Sequence, residues 1–181
     1  HMGRLSTLHL MALKPTHAKE LLRGDLSALF LAENNGQTFR ATTAVGVESE
    51  LIRNDTINLG AGILGDIARK KTGEIVNDVS NDPRVIPISG TVVSPNEHLI
   101  AVPLLANDEL KGLMSVWRTG EGLEFTEFEL EFLNNLSRQA VIAIQNTQLF
   151  SEAQEARAAV ILAEAEIPKA IAEAFRLGNL G

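Results

Sequence analysis

From Thr126 to Ile167 the chain runs about 42 residues without a glycine or a proline. These two residues interrupt helices most strongly, and Thr126 with Glu129 three positions on forms a capping box at the start of the run. One helix is therefore expected from Thr126, roughly 60 Å long at 1.5 Å per residue. A single small domain spans about half that distance. Part of the helix is expected to project from its globular body or to lie on a second chain. Its apolar residues fall into two runs. Leu133, Leu136, Ala140, Ala143, Thr147 and Phe150 are spaced 3-4-3-4-3, and Ala153, Ala156, Val160, Ala163, Ile167, Ala170, Ala174 and Leu177 resume after one 3-residue phase shift. Alternating 3-4 spacing is a coiled-coil stripe, and a skipped phase overwinds it locally. The pattern predicts a parallel homodimer; the alternative is that the first run covers a sheet of its own domain. Pro168 removes a donor and clashes with the preceding turn. It is expected to kink or end the helix, leaving "KAIAEAFRL" as a short helix stopped at Gly178.

The residues before the helix alternate short elements with turn signals. "RLSTLHLMAL" (4–13) is short and mostly apolar. "PTHAKELLRG" (15–24) reads as a helix with Pro15 in its first turn and Gly24 beyond its end. "LSALFLAE" (26–33) and "QTFRATTAVG" (37–46) flank Asn34-Asn35-Gly36 and read as a β-hairpin. "GAGILGDIARKKTG" (60–73) reads as a helix entered through glycines and closed by Gly73. "EIVNDV" (74–79) reads as a third strand, and residues 80–97 show no period. "HLIAVPLLAND" (98–108) and "ELKGLMSVWRT" (109–119) form a second hairpin across Asn107-Asp108. Pro103 lacks a backbone donor and fits an edge, a bulge or a strand end.

Composition narrows the function. The chain has 181 residues, 45% apolar and 22% charged, enough for one globular core. A net charge of −7 and a basic cluster no longer than Arg69-Lys70-Lys71 argue against a nucleic-acid partner. Those cations suit a helix C-terminus. There is no cysteine, hence no disulfide framework and no thiolate metal site. No apolar run reaches the roughly 20 residues of a membrane span, so direct membrane insertion is not expected. A cytoplasmic setting is. His1-Met2 reads as a cloning remnant.

Candidate chemistry is sparse. "RKKTGEIVNDVSNDPRV" (69–85) places Asp78 and Asp82 near Arg84 but holds no histidine. Pro83 biases Asp82 away from helix, and Asp82 can bond its own loop backbone, so the acids read as structural rather than catalytic. His9 and His17 have no partner at ligand spacing, and no metal site is expected. Gly60-x-Gly62-x-x-Gly65 matches a dinucleotide pattern, but no βαβ unit surrounds it. Trp117 is core or pocket wall. Eighteen aperiodic residues (80–97) inside a compact domain suggest a lid. Val85, Ile86, Ile88, Val92 and Val93 make this segment apolar, so it is expected to pack over the sheet. A small, largely apolar pocket is expected between it and residues 98–118. Arg84, Thr91 and His98 are its candidate polar contacts, and Ile86, Val92 and Trp117 its candidate apolar ones.

The order of these elements resembles a GAF domain over about residues 10–150. The features that carry the resemblance are Gly60-Ala61-Gly62, Thr72-Gly73, Asp82-Pro83-Arg84, Val102-Pro103-Leu104, Leu110-Lys111-Gly112 and the acidic "FTEFE" helix start. The resemblance implies an α+β fold, a central antiparallel sheet flanked by helices, with a long C-terminal helix. It implies a ligand pocket on the other face, crossed by the segment after "TGEIVNDV", and terminal helices that pair in a dimer. The implied function is a regulatory or sensory small-molecule-binding module of signal transduction, without enzymatic activity. The alternative is a fold retained only as a dimerisation scaffold with no ligand. Ligand and cofactor remain unspecified. Cyclic-nucleotide-binding members carry an Asn-Lys, Phe, Asp-Glu set whose aligned positions here read Arg118-Thr119, Phe125 and Glu129-Leu130. Tight binding of cyclic AMP or cyclic GMP is therefore not expected. Covalent bilin attachment and methionine sulfoxide reduction, as found in some members, both need cysteine. Residues 1–150 are expected to form the sensory domain and 151–181 a helical extension. Residues 156–181, rich in alanine and glutamate, also resemble the C-terminal region of bacterial flotillin-like membrane-scaffold proteins, which would make the chain a natural fusion or an engineered chimera.

Overall fold

The computed structural model describes residues 18–180, with side chains in the last helix described to Val160 apart from Gln148 and Phe150. The chain divides into a unit ending at Ile144 and a second starting at Gln145. The first unit is built on one sheet of β1 (Leu26–Glu33), β2 (Thr38–Gly46), β3 (Thr56–Asn58), β4 (Glu74–Val76), β5 (Glu97–Ala106) and β6 (Glu109–Thr119). Their order is β3-β2-β1-β6-β5-β4, and every pair is antiparallel. Both expected hairpins form. Asn34 and Asn35 close the first with φ of 51° and 57°, and Asn107 and Asp108 the second with 52° and 64°. Asparagine and aspartate tolerate this left-handed region better than other side chains. Pro103 sits on β5 beyond the last β4 pair, Glu74 with Ala101. Its missing N–H therefore costs no ladder bond there.

Side-chain parity sorts the strands into two cores. Leu29, Ile100, Val102, Leu104, Met114 and Val116 face one side, where Leu22, Leu133, Leu136 and Ala140 cover them. Ala28, Phe30, Leu99, Ala101 and Leu113 face the other side, packed against Ile52, Ile63 and Ile67. These last three lie on helix α1 (Ser49–Arg53) and helix α2 (Gly62–Lys70). Helix α3 spans Glu127–Leu180. Its capping box forms as expected: the Glu129 N–H donates to Thr126 Oγ1 at 3.3 Å, and the Thr126 N–H to Glu129 Oε1 at 3.1 Å.

Several expectations need correction. Residues 47–59, to which the sequence assigned no element, hold α1 and the edge strand β3. Elements of five and three residues carry too little periodicity to stand out from a loop. The strand expected over 74–79 ends at Val76, and a 3-10 turn occupies Val79–Asn81. Lys71, with φ of 55°, ends α2 in place of Gly73. Gly73 serves packing instead: a Cβ there would meet Val102 Cγ1 at 2.9 Å. Helix α3 does not end at Pro168 or Gly178, since it continues to Leu180. Leu133, Leu136, Ala140 and Ala143 are buried, so this part of the first heptad run covers its own sheet. Helical backbone at 18–21 matches the end of the helix expected over 15–24. The segment at 4–13, His9 and His17 lie outside the described residues.

Candidate functional site

Residues 82–96 leave β4 and cross the α1–α2 face of the sheet before β5 begins. Arg84 anchors their start. Its backbone N–H donates to Asp82 Oδ1 at 2.8 Å, and its Nη2 to Asp82 Oδ2 at 2.9 Å. Nη1 reaches Asp66 Oδ2 on α2 at 2.9 Å, and Nη2 also pairs with Glu74 on β4. Asp66 further accepts Arg69 at 2.7 Å and Lys70 at 2.9 Å. Hydrogen bonds from Lys70, Arg69 and Arg84 hold the Asp66 carboxyl well below the usual carboxylate range. The Arg84 side chain does the same for Asp82, while Asp82 and Glu74 push the guanidinium up. Asp78 accepts from Ser80 at 3.3 Å and Asn81 at 3.1 Å, closing the short turn. The acid and arginine cluster is thus a clasp at the root of the lid.

Under the lid lies a cavity of about 360 Å3, within the size range of small-molecule sites. Phe30, Leu99 and Trp117 line it from the sheet, and Ile52, Ile57 and Ile63 from the segment before and within α2. The lid adds Val85, Ile86, Ile88, Val92 and Val93. Val85, Ile88 and Val93 are half-buried against the core, whereas Ile86 and Val92 are 64% and 87% exposed. The lid therefore covers the cavity without filling it. Gly62 takes a φ of +70° at the entry to α2, a conformation that favours glycine. Gly65 allows α2 to seat on β3, because a Cβ would fall 2.2 Å from the Asn58 carbonyl oxygen. Gly65 thus serves backbone approach, and Gly60 and Gly62 serve the positive-φ turn into α2.

Of the six candidate site residues, Ile86, Thr91, Val92 and Trp117 line the cavity. Arg84 and His98 do not. Arg84 is engaged by three carboxylates at the lid root. His98 follows strand parity: Glu97 and Leu99 face the cavity, so the residue between them faces the opposite core. There it is 3% exposed, with Nδ1 2.7 Å from the Asn77 carbonyl and Nε2 2.9 Å from that of Gly120. The Thr91 hydroxyl donates to the Ile88 carbonyl at 2.8 Å, which closes a turn of the lid.

Sequence reasoning missed the cavity's carboxylates. Asp25, Glu48, Asp55 and Glu97 all line it. Glu97 was open to detection, because β5 pairs Leu99 with Trp117 and Glu97 with Thr119 on one face. Asp55 and Glu48 had no local signal; they arrive because β3 pairs with β2 at Thr38–Arg40. Burial is the main cause that raises Glu97 above the ordinary glutamate value, and Glu48 adds repulsion.

On the opposite face, Arg118 follows Trp117 and is 4% exposed. It holds Glu129 with two bonds, Nη1 to Oε2 at 2.8 Å and Nη2 to Oε1 at 3.0 Å. It also donates to the carbonyls of Leu22 at 2.6 Å, Leu123 at 2.6 Å and Glu124 at 2.9 Å, and lies 4.0 Å from the Phe125 ring centroid. Burial alone would raise Glu129, but Arg118 and the Thr126 bonds bring it below the ordinary value. Asn77 joins the same corner, its side chain exchanging bonds of 3.0 and 2.8 Å with the Phe125 backbone. Among the described residues no group of His, Asp and Glu is placed to hold a metal ion.

A family model described as a GAF domain matches residues 16–145. Among solved structures the chain is similar to the GAF domain of an Acinetobacter phosphoenolpyruvate-protein phosphotransferase, at 16% identity and a TM-score of 0.66, covering 84% of this chain and 98% of that one. It is similar to the second GAF domain of DevS from Mycobacterium smegmatis, at 16% identity and 0.63, covering 82% and 98%. A free methionine-R-sulfoxide reductase from Neisseria meningitidis, solved with its substrate, matches at 18% identity and 0.64, covering 77% and 78%. No curated protein matches the chain.

Proposed function

This chain belongs to the GAF domain family, and from that premise we propose that it is a sensory or regulatory module that holds a small molecule beneath its lid and relays occupancy to helix α3. The observation that carries the reading lies on β6. Trp117 lines the cavity, and Arg118, the next residue, holds Glu129 in the first turn of α3. Adjacent strand residues point to opposite faces, so a ligand that displaces Trp117 loads the Arg118 pairing through the backbone they share. The open cavity supports ligand binding over a scaffold role alone. Reductase chemistry of the cysteine kind has no residue to use here, since the chain holds no cysteine, and the reading is a non-enzymatic one.

The relay continues along α3 as a parallel homodimer. Leu149 and Val160 are 62% and 56% exposed, and Ala153 and Ala156 between them are exposed as well. Their 4-3-4 spacing continues in the sequence through Ala163, Ile167, Ala170, Ala174 and Leu177. Exposed Ile142 stands seven residues before Leu149, so this stripe runs without the phase shift that linking it to the Leu133 run required. Hydrogen exchange with and without metabolite extract from the native host tests the relay. Slower exchange in both 82–96 and 127–144 is expected; unchanged exchange in both overturns it. Light scattering tests the dimer: Leu149→Glu is expected to yield monomer from a dimeric parent, and a monomeric parent at micromolar concentration sinks it.

A further inference from the structure

The proposed ligand has a sign of charge. Among the described residues, the side chains around the cavity that carry formal charge are Asp25, Glu48, Asp55 and Glu97, and no lysine, arginine or histidine lines it. The cations nearest in sequence to its walls are engaged elsewhere. Arg84 is bound by Asp66, Glu74 and Asp82, and Arg53 pairs with Glu50. Glu97 and Glu48 both line the cavity; repulsion from Glu48 adds to the burial that raises Glu97, and the Ser94 backbone and His98 oppose it in part. Backbone N–H groups already take part of the other acids: Thr119 donates to Asp25 at 2.8 Å and Thr56 to Asp55 at 3.1 Å. The α2 N-terminus, without a side-chain cap, also meets the cavity at Ala61 and Gly62. It offers at most about half a positive charge, against whole charges on the carboxylates. The remaining lining mixes uncharged polar side chains such as Asn58, Thr91 and Ser94 with apolar ones, and includes Trp117, whose indole attracts cations placed over it.

We propose that this cavity takes a small organic cation: an apolar body under the lid with a protonated amine or guanidinium directed at Glu97 and Glu48. The proposal rests on the small-molecule reading above and adds the ligand's charge to it. The apolar body replaces water against Phe30, Leu99 and Ile63, and the cation supplies a counter-charge to Glu97 and Glu48 that no described lining residue provides. An anion of the same shape meets like charge on entry and finds no side-chain cation among the described lining residues to receive it. A cyclic nucleotide, whose phosphate is an anion, falls in the excluded class.

A set matched in shape and varied in charge provides the test. Phenethylamine, phenylalanine and 3-phenylpropanoate present a cation, a zwitterion and an anion on one apolar frame. Ligand-observed NMR with the full chain at millimolar ligand is expected to show binding by the amine and none by the propanoate. Phenylalanine reports whether the α2 N-terminus tolerates a carboxylate beside the amine; binding of phenylalanine with the amine silent would overturn the assignment. Glu97→Gln is expected to weaken the amine by about tenfold while leaving the circular dichroism spectrum unchanged, and Glu131→Gln on α3 is expected to leave affinity unchanged. Binding of the propanoate as well as or better than the amine overturns the charge assignment and leaves the small-molecule reading in place. Silence from all three, together with unchanged exchange in metabolite extract, overturns both.

Discussion

Two arginines fasten the two sides of this sheet, and they do so in different ways. Arg84, a quarter exposed, gathers three carboxylates at the root of the lid. Arg118, 4% exposed, takes one carboxylate and three backbone carbonyls. The difference follows from solvent. Water solvates whatever Arg84 leaves unpaired, so that cluster can open and close with the lid. No water replaces Arg118, so every donor needs a protein acceptor. The lid clasp is accordingly a local fastening, and the helix clasp is part of the global fold.

Arg118→Met breaks the comparison on its costly side. It leaves Glu129 without its guanidinium partner and three carbonyls without their donor. The expected loss is about 3–5 kcal/mol in urea unfolding. A loss below about 1 kcal/mol would make the two clasps equivalent. Arg84→Ala is expected to cost only about 1 kcal/mol globally. Its main effect should be faster amide exchange across 82–96, with the exchange of β1 and β6 unchanged.

Acid sharpens the contrast. Asp66 and Asp82 have folded values below the ordinary 3.8. Their contribution is therefore fully present above that value and is lost as pH falls toward the folded values. Protection of the lid amides, taken relative to intrinsic exchange at each pH, is expected to hold steady from neutral pH to about 4 and to fall below it. A loss of protection between pH 7 and 5 would contradict the clasp. The smallest effect has the opposite sign. Burial raises Glu97, so its folded form binds the proton more tightly than its unfolded form does. Glu97→Gln is then expected to raise the melting temperature slightly at pH 7, and the gain to close as pH falls through the raised value. A lower melting temperature at pH 7 would indicate a counter-cation for Glu97.

Both hairpins were legible because Asn34-Asn35-Gly36 and Asn107-Asp108 carry the left-handed turns within themselves. The start of α3 was legible because a capping box is local. The lid was legible as an aperiodic yet apolar stretch, and Trp117, Ile86, Thr91 and Val92 do stand around the cavity beneath it. Reading His98 as a contact was an error of one residue on β5. A strand flips its faces with every step, so Glu97 was the side chain to choose. The outer wall was illegible, since α1 and β3 are too short to carry a period.

By itself the sequence determined which residues make turns, where the long helix begins, and that strand residues two apart share a face. Each of these follows from dihedral preference or hydrogen bonding within a few positions. Only the tertiary structure decided that Arg84 serves the lid root and Arg118 the helix. Each lies near carboxylates in sequence, and the acids that complete the Arg84 clasp come from α2 and β4. Only the tertiary structure decided, too, that the cavity is ringed by acids. Asp25, Glu48, Asp55 and Glu97 are scattered over the chain, and they converge because β1, β2, β3 and β5 pair in one sheet. Charge carries no periodicity that records which strand will be its neighbour.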